Sequence, residues 1–322
     1  MVSSSPPQVS VIIPTFNRGA LTARAVASVL AQTRPPQEIL VIDDGSSDDT
    51  GNLLNERFGD RIRYLRQANR GPGAARNRGV REARSELVAF LDSDDTWRPE
   101  KLEAQVPLLS GDDVVLCYGN WTDGQTSPGA DYFSRIALLL PERRWMVDQP
   151  LALLTRGKGS GIWTTTCVCK KPAVERVGGF DEKYRVGEDL RLWFRLAFEG
   201  KFAVTSEVLA ERAWLGPDRQ LTDTKKEAYF REAAAVRTEI FLEAYGRAMQ
   251  ADPAVQRALR RLLADGLADL AKFAACDGKR GLARRRGFEA LACFPRGKSA
   301  LKALLALIYP GIWGWGTRKP SR

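Results

Sequence analysis

The residues best suited to chemistry are three aspartates within four positions, Asp92, Asp94 and Asp95, directly after the apolar run Leu87 to Leu91. That run is typical of a strand buried on both faces, and aspartate is disfavoured in strands, so we expect the strand to end at Asp92. Alternation then puts Asp92 and Asp94 on the same side of a short extended segment, close enough to share one ligand. Carboxylates without histidine or cysteine suit a hard divalent cation that also binds water and phosphate. A polar turn that caps the next helix is the alternative.

The composition excludes several kinds of chemistry. The chain has 322 residues, 44% of them hydrophobic and 27% charged, which is enough for one large α/β domain with an appendage or for two domains. Histidine is absent, so histidine-based triads, histidine-ligated zinc and a histidine base are excluded, and proton transfer must fall to Asp, Glu or another group. The net charge of +10 indicates an anionic partner: nucleic acid, an acidic membrane surface or a phosphorylated substrate.

The cysteines and the chain ends predict a cytoplasmic protein. The odd number of cysteines, five, contains no CxxC pair, so we expect buried thiols in a reducing compartment. Met1 to Gln8 lacks the charged and apolar regions of a signal peptide. The nearest candidate for a membrane span, Ala300 to Trp315, is interrupted by Lys302 and Pro310.

Strands and helices must alternate to position these residues. Strands are predicted at 9–13, 38–42, 62–65 and 87–91, with helices at 18–31, 48–58 and 74–84 between them. This βαβ spacing predicts a parallel, doubly wound sheet, in which ligands bind beyond the carboxyl ends of the strands. Three polar clusters fall at such ends and should converge on one edge: Pro14-Thr15, Asp43-Asp44 and Asp92-Ser93-Asp94.

The rest of the chain divides near residue 222. A helix at 99–109, a strand at 114–118, a loop at 119–130, a helix at 148–156 and an apolar, threonine-rich strand at 162–169 are predicted first. A helix with one buried face begins near Asp189. Beyond Asp223 the composition favours helices at 227–245, 253–275 and 280–293. We therefore expect domains at 1–222 and 223–322.

Five short motifs in order and spacing make residues 8–222 similar to a family 2 glycosyltransferase of the GT-A fold. They are Val9 to Arg18, Ile42 to Ser46, Asn69 with Gly71 to Gly79, Leu91 to Asp95, and Gly178-Gly179-Phe180-Asp181 followed by Glu188-Asp189. The resemblance implies a Rossmann-like, mostly parallel twisted sheet flanked by helices, to which the C-terminal helices are an appendage.

The resemblance also implies roles for individual residues. Pro14 and Thr15 line the nucleotide pocket, and the Asp43-Asp44 pair holds the base. Asp92-Ser93-Asp94 is the DxD element that binds ribose and a diphosphate-bound Mn²⁺ or Mg²⁺, with Asp92 and Asp94 as metal ligands. Asp189 aligns with the catalytic base, and family members invert the anomeric carbon. The expected partners are a nucleotide-diphosphate sugar donor and a glycan or lipid-linked acceptor, in cell-surface polysaccharide or glycoconjugate synthesis.

Physical reasoning about the residues agrees with these roles. A nucleoside diphosphate leaves poorly until its charge is neutralised, which a metal on two carboxylates does. Arg76 could add positive charge near the phosphates, or it could be a solvated helix charge. An acceptor hydroxyl must lose its proton to a carboxylate, and one base without a covalent intermediate means inversion. Asp189 could instead be a carboxylate that stabilises a helix terminus, and Asp43-Asp44 could be turn formers.

The sequence departs from the family pattern at one point. Many members carry a histidine after the segment aligned with Ala213 to Gly216, and this chain has none. Trp214 or Arg219 could close over the diphosphate instead.

Three other functions compete with the transferase. A non-catalytic nucleotide-sugar or glycan-binding subunit would have lost the metal carboxylates or the base, and neither is lost. A nucleic-acid binder would explain the charge, but no binding motif accompanies it, so no nucleic-acid partner is expected. A sugar-1-phosphate nucleotidyltransferase would open with a Gly-rich, Arg-containing loop where this chain has Pro14 to Asn17.

The C-terminal third carries most of the net charge. Residues 253–302 hold twelve basic and four acidic residues, a net charge of +8, and the apolar, Trp-bearing tail 303–315 follows. Such a tail is too short and broken to span a bilayer but suits its interface. The alternatives are docking on an anionic membrane, at the inner face of the plasma membrane, or packing of the tail on the catalytic domain or a second subunit. The sequence does not indicate an oligomeric state.

Overall fold

Two compact units, residues 1–216 and 217–322, make up the chain. A computed structural model describes residues 7–123, 131–138, 140–155, 161–212, 227–248 and 252–308. The first unit contains the sheet and the predicted site, and the second is helical.

The described strands of the first unit form one nine-stranded sheet. They are β1 (Val9–Thr15), β2 (Glu38–Asp43), β3 (Arg63–Arg66), β4 (Leu87–Phe90), β5 (Thr96–Trp97), β6 (Val114–Thr122), β7 (Arg144–Val147), β8 (Val168–Lys170) and β9 (Lys201–Glu211). The order is β3-β2-β1-β4-β8-β6-β9-β5, and β7 pairs with β9.

Helices flank this sheet in the described part of the first unit. They are α1 (Gly19–Leu30), α2 (Thr50–Phe58), α3 (Pro72–Glu82), α4 (Lys101–Gln105), α5 (Tyr132–Arg135), α6 (Pro150–Leu154), α7 (Lys171–Arg176) and α8 (Glu188–Leu196). Short 3₁₀ turns occupy 59–61, 106–109 and 164–166.

The parallel half of the sheet forms as the βαβ spacing predicts. β1 is buried along its whole length, and it pairs in parallel with β2 on one side and β4 on the other. Because Thr15 is the register partner of Asp43, the two strands end at the same level. The carboxyl ends of the strands therefore meet at one edge, and the polar clusters that follow them lie there.

The second half of the sheet differs from the prediction. β8 runs antiparallel between β4 and β6, and β6 continues to Thr122 through part of the predicted loop 119–130. The predicted strand 162–169 is wrong for most of its length, because Thr164 to Thr166 form a 3₁₀ turn and the strand begins at Val168. The Thr164 hydroxyl bonds to Asp189 and the Thr165 hydroxyl to Asp95 there, and these contacts outweigh the strand preference of β-branched residues.

Four helices form the described part of the second unit: α9 (Glu227–Arg247), α10 (Pro253–Cys276), α11 (Arg280–Cys293) and α12 (Gly297–Ile308). The first three fit the predicted segments, and α12 replaces the first part of the segment considered as a membrane span. α10 is in contact with each of the other three. Across the described residues, none of the helices combines the length and the apolar character that crossing a bilayer requires.

Candidate active site at the carboxyl edge of the sheet

The loops after β1 and β2 are tied together at the sheet edge. The N–H of Asp44 donates to the carbonyl oxygen of Thr15 at 2.8 Å. Asn17, with a left-handed φ of 51°, accepts the N–H of Ser47 at 2.7 Å on its side-chain oxygen and donates its own N–H to Ser46 Oγ at 2.8 Å. An asparagine suits this position because it tolerates positive φ and bonds to nearby backbone.

Asp43 and Asp44 are both buried and have different contacts. Asp43 accepts the N–H of Ser46 at 2.8 Å and the hydroxyl of Tyr64. Burial, followed by the hydrogen bond to Asp43, raises the pKa of Tyr64 above its ordinary value, so this hydroxyl stays a donor. Asp43 therefore does more than form the turn before α2. The predicted role of Asp43 and Asp44 in holding a nucleobase stays a prediction.

The Asp44 carboxylate organises the segment that precedes α3. It accepts the Gln67 side-chain amide at 2.8 Å and the backbone N–H groups of Arg70 and Gly71 at 2.9 and 2.7 Å. Gly71, at φ 92°, precedes the first residue of α3. Asp44 therefore links the end of β2 to the start of the helix that carries Arg76.

Each of the two predicted metal carboxylates is paired with an arginine. Asp94 Oδ2 lies 2.7 Å from Arg18 Nη1, and Asp92 Oδ1 lies 2.6 Å from Arg76 Nη2. Burial raises the pKa of Asp94, and the nearby negative charge of Asp92 raises it further. Ser93, between them, is buried. Residues 92–95 form a turn, closed by the N–H of Asp95 donating to the carbonyl oxygen of Asp92 at 3.0 Å, and not the extended segment that the sequence predicted. Positive charge is favourable beside the two carboxylates.

Asp92 and Asp94 can bind a divalent cation only if phosphate and water supply its other ligands. Within the described residues, no group of three or more His, Cys, Asp or Glu side chains is placed to hold a metal. Two partly buried, mutually repelling carboxylates match an ion that takes its other ligands from phosphate and water. The donor set therefore suits Mn²⁺ or Mg²⁺ bound together with a diphosphate.

Arg76 is a buried charge at the centre of the site rather than a solvated one. It bridges Asp92 and Glu188, with Nη1 at 2.8 Å from Glu188 Oε1, and its guanidinium lies 5.3 Å from the ring centroid of Phe180. Burial acts to lower the pKa of Arg76, but Asp92 and Glu188 outweigh it and raise the pKa above the ordinary value. Its Nε has no hydrogen-bond partner within the described residues.

Glu188 and Asp189 begin α8, and their surroundings separate them. Glu188 is buried, which raises its pKa to about 7, with Asp189 adding to the effect and Arg76 opposing it. Asp189 Oδ2 accepts the hydroxyl of Thr164 at 2.9 Å. Glu188 is therefore bonded to Arg76, whereas Asp189 accepts the hydroxyl of Thr164.

The turn Thr164 to Thr166, here named the threonine turn, connects the aspartate loop with Asp189. Thr165 Oγ1 donates to Asp95 Oδ2 at 2.7 Å and accepts the backbone N–H of Asp92 at 3.2 Å. Thr164 donates to Asp189 from the same turn. Neighbouring residues of the threonine turn thus contact both the aspartate loop and Asp189.

The Gly-Gly-Phe-Asp motif is held against α3 by Asn77. The Asn77 side chain accepts the N–H of Phe180 at 2.8 Å and donates to the carbonyl oxygen of Phe180 at 2.8 Å. Gly179, at φ 69°, leaves no room for a side chain, since a Cβ there would lie 2.4 Å from Asn77 Oδ1. Phe180 then packs edge-on against Phe90 at 5.1 Å between centroids, at the end of β4.

The structure pairs Asp92 with Arg76 directly and links Asp92 to Asp189 through the threonine turn, whereas Asp94 is paired with Arg18. It places Pro14, Thr15, Asp43 and Asp44 at the neighbouring strand ends. Sequence reasoning missed the contacts of Arg18, Asn77, Thr164 and Thr165. Arg18 and Asn77 belong to the sequence motifs described above, but those motifs did not indicate a role for either residue. Nothing in the sequence singled out the two threonines. Trp214 and Arg219, considered as replacements for the missing histidine, lie outside the described residues.

Comparison with known proteins shows which proteins this chain is similar to. The model of glycosyl transferase family 2 matches residues 10–178, more than half of the chain. An uncharacterized glycosyltransferase of Nostoc sp. is 44% identical over 213 residues, which are 63% of each chain. The UDP-Glc:α-D-GlcNAc-diphosphoundecaprenol β-1,3-glucosyltransferase WfgD of Escherichia coli is 38% identical over 114 residues, 35% of this chain and 45% of the relative. The chain spans between 17% and 63% of the length of the curated relatives that it matches.

Solved structures show the same fold. The S. aureus TarS 1–349 complex with UDP-GlcNAc has a TM-score of 0.61 at 15% identity, covering 93% of this chain and 89% of TarS 1–349. The mannosyltransferase PcManGT of Pyrobaculum calidifontis, in complex with GDP-Man and Mn²⁺, has a TM-score of 0.58 at 20% identity, covering 97% of this chain and 84% of that one. The GT-A fold expected from the sequence is confirmed by these likenesses.

Proposed function

The chain belongs to glycosyl transferase family 2, and from this premise we propose that it is a metal-dependent, inverting glycosyltransferase. It moves a sugar from a nucleotide-diphosphate sugar to an acceptor hydroxyl. The observation that carries the proposal is the bridge made by Arg76, which joins Asp92 of the aspartate loop to Glu188, the neighbour of Asp189. A non-catalytic binding subunit would not need the aspartate pair and Asp189 to be assembled around one buried arginine.

The donor is proposed to lie across the carboxyl edge of the sheet. Pro14 and Thr15 face the nucleotide, Asp43 and Asp44 shape the base end, and Ser93 with Asp92 contacts the ribose and diphosphate. Burial of Asp43 and Asp44 supports a preformed base end. TarS and PcManGT, which share the fold, were solved with UDP-GlcNAc and GDP-Man.

Asp92 and Asp94 are the residues that would hold Mn²⁺ or Mg²⁺. The ion supplies positive charge that stabilises the departing nucleoside diphosphate. Arg76 is proposed to keep Asp92 in place, and its fixed charge stays beside the diphosphate site because two carboxylates hold the guanidinium.

Asp189 is proposed as the base that accepts the proton of the acceptor hydroxyl. Thr164 holds one of its oxygens, which limits the rotation of the carboxylate. Glu188 is the less suitable base because it is buried and bonded to Arg76. A single base without a covalent sugar intermediate gives inversion at the anomeric carbon.

The acceptor is proposed to be a glycan or a lipid-linked sugar of cell-surface polysaccharide or glycoconjugate synthesis. The name of the E. coli relative describes transfer to a diphosphoundecaprenol-linked sugar. We accordingly place the enzyme on the cytoplasmic side of a membrane, attached at its surface.

A screen of nucleotide sugars tests the proposal. Purified full-length protein is incubated with UDP-, GDP- and dTDP-sugars with Mn²⁺, Mg²⁺ or EDTA, and thermal stabilisation and nucleotide release are measured. We expect one nucleotide class to stabilise the protein and to be hydrolysed slowly only with metal. Stabilisation without any release or transfer, with acceptors of both classes present, would favour the binding subunit.

A further inference from the structure

The helices α11 and α12 expose large apolar side chains. Phe288 is 64% exposed and Leu301 is 59% exposed, while Leu282 and Leu304 are 45% and 41% exposed. Single exposed leucines are ordinary, but here four large apolar residues are exposed within 23 positions of one helical pair. These four residues are here named the apolar set.

The apolar set is not part of the helical core. Ala283, Gly287 and Ala290 are the buried residues of α11, and they recur at helical spacing on a face that includes neither Leu282 nor Phe288. In α12, Ala300 and Ala303 are buried whereas Leu301 and Leu304 are not. Among the side chains that the structure describes, the buried residues of α11 and α12 are thus small, and the four large residues of the apolar set are exposed.

The same two helices are strongly basic. Between Arg280 and Ile308 there are seven basic residues and one acidic residue, a net charge of +6. The acid, Glu289, is paired with Arg285 and Arg286 at 3.0 and 2.8 Å. Arg284 is exposed and has no ion-pair partner among the residues that the structure describes.

Charge and apolar surface share helix faces. Phe288 lies four residues after Arg284 and three after Arg285, so the three side chains are neighbours on α11. On α12, Lys298, Leu301 and Leu304 follow at intervals of three residues and are all exposed. Aromatic and leucine side chains beside arginine and lysine are the pattern of helices that lie in a membrane interface.

We propose that α11 and α12 dock the protein on an anionic lipid surface through the apolar set and the basic residues around it. A second copy of the chain is a poor occupant, because two faces of this charge would repel each other. Nucleic acid would use the arginines but would leave Phe288 and Leu301 exposed. Lipid docking would bring the enzyme to the lipid-linked acceptor of the proposed function, and only this biological purpose rests on that function. Lipid binding itself is measured without catalysis.

The chain contains a matched control for this surface. Leu242 on α9 is 59% exposed, the same fraction as Leu301. Glu239 and Glu243 flank Leu242, whereas Lys298 and Lys302 flank Leu301. The two leucines are equally exposed but have neighbours of opposite charge. Comparing their substitutions therefore distinguishes lipid docking from a general effect of exposed leucines.

The test is flotation of the full-length protein with vesicles of phosphatidylcholine alone or with 30% phosphatidylglycerol, at low and high salt. We expect binding only to the anionic vesicles, weakened as salt rises. F288S/L301S and R284Q/R285Q should each weaken it by about tenfold, since apolar area and each basic residue contribute comparably, and L242S should match wild type. No binding by wild type, equal loss with L242S, or dissociation of a dimer by F288S/L301S would overturn the proposal. Donor hydrolysis in solution, measured in parallel, should be the same in all four proteins.

Discussion

Thr164 Oγ1 donates a 2.9 Å hydrogen bond to Asp189 Oδ2, although the two residues lie on different elements. The next residue, Thr165, bonds to Asp95 and to the backbone of Asp92. The threonine turn therefore fixes the distance between the aspartate loop and the proposed base. Its geometry should matter for turnover more than for donor affinity.

Replacing Thr164 tests this relationship. Thr164→Val keeps the shape but removes the donor, and we expect kcat to fall about tenfold or more while KM for the donor stays unchanged, because a hydrogen bond to a charged group is lost. Thr164→Ser should restore kcat. Thr166→Val is the matched control, since the Thr166 hydroxyl bonds within the turn to the carbonyl oxygen of Trp163. Equal kcat for Thr164→Val and Thr166→Val would show that the contact has no role in turnover.

Asp94 should be essential for metal-dependent transfer. Asp94→Ala removes a carboxylate from a loop end, so the fold should persist while activity with Mn²⁺ or Mg²⁺ is abolished. Activity is measured as nucleotide release with and without EDTA, and circular dichroism checks the fold. Full activity of the variant in EDTA would exclude Asp94 as a metal ligand.

Asp189→Asn tests the proposed base. Asparagine keeps the size and can still accept the Thr164 hydroxyl, but it cannot take the acceptor proton, so turnover should fall by about 10²–10⁴. Donor affinity, measured by calorimetry, should change little. A collapse of donor affinity with turnover of bound donor preserved would instead make Asp189 a structural residue of α8.

Lys101 should make stability depend on pH. Its ammonium group is fully buried 4.0 Å from the centroid of the Trp97 ring, with no hydrogen-bond partner among the described residues. Burial lowers the pKa of Lys101 from 10.5 to about 7. Between these two pH values the unfolded chain holds the proton and the folded chain does not, so the free energy of unfolding rises with pH and the full penalty applies below pH 7.

Lys101→Met should therefore raise the free energy of unfolding at pH 7 and flatten its increase toward pH 10. Urea unfolding at several pH values measures both effects. Lys298→Met, at an exposed lysine of α12, is the control and should run parallel to wild type. A Lys101→Met curve parallel to wild type would mean that Lys101 stays protonated in the folded protein.

The first four strands could be predicted from the sequence because local periodicity determines them. Apolar runs before Pro14, Asp43 and Asp92 predicted three of these strands and the edge at which their polar residues meet, although β1 continues through Pro14 to Thr15. Antiparallel β8 and the threonine turn could not be predicted in this way. Three consecutive threonines favour a strand locally, and the side-chain partners of Thr164 and Thr165 lie 25 and 70 positions away.

The burial of Arg76 was equally beyond local pattern. Its helix contains several arginines, and the sequence does not show which of them is buried in an ion pair and which is exposed to solvent. Asp92 and Glu188, 16 and 112 positions along the chain, make that choice. Long-range pairs of this kind decide the electrostatics of the site but leave no periodic signal.

Asp44 has a consequence for attempts to engineer nucleotide preference. Its carboxylate is divided between Gln67 and the backbone of Arg70 and Gly71, immediately before α3. A substitution made there to alter base selection would also release the helix that carries Arg76, so a change in selectivity and a loss of catalysis would arrive together. A mutant library aimed at donor choice should keep Asp44 constant and vary its less constrained neighbours instead.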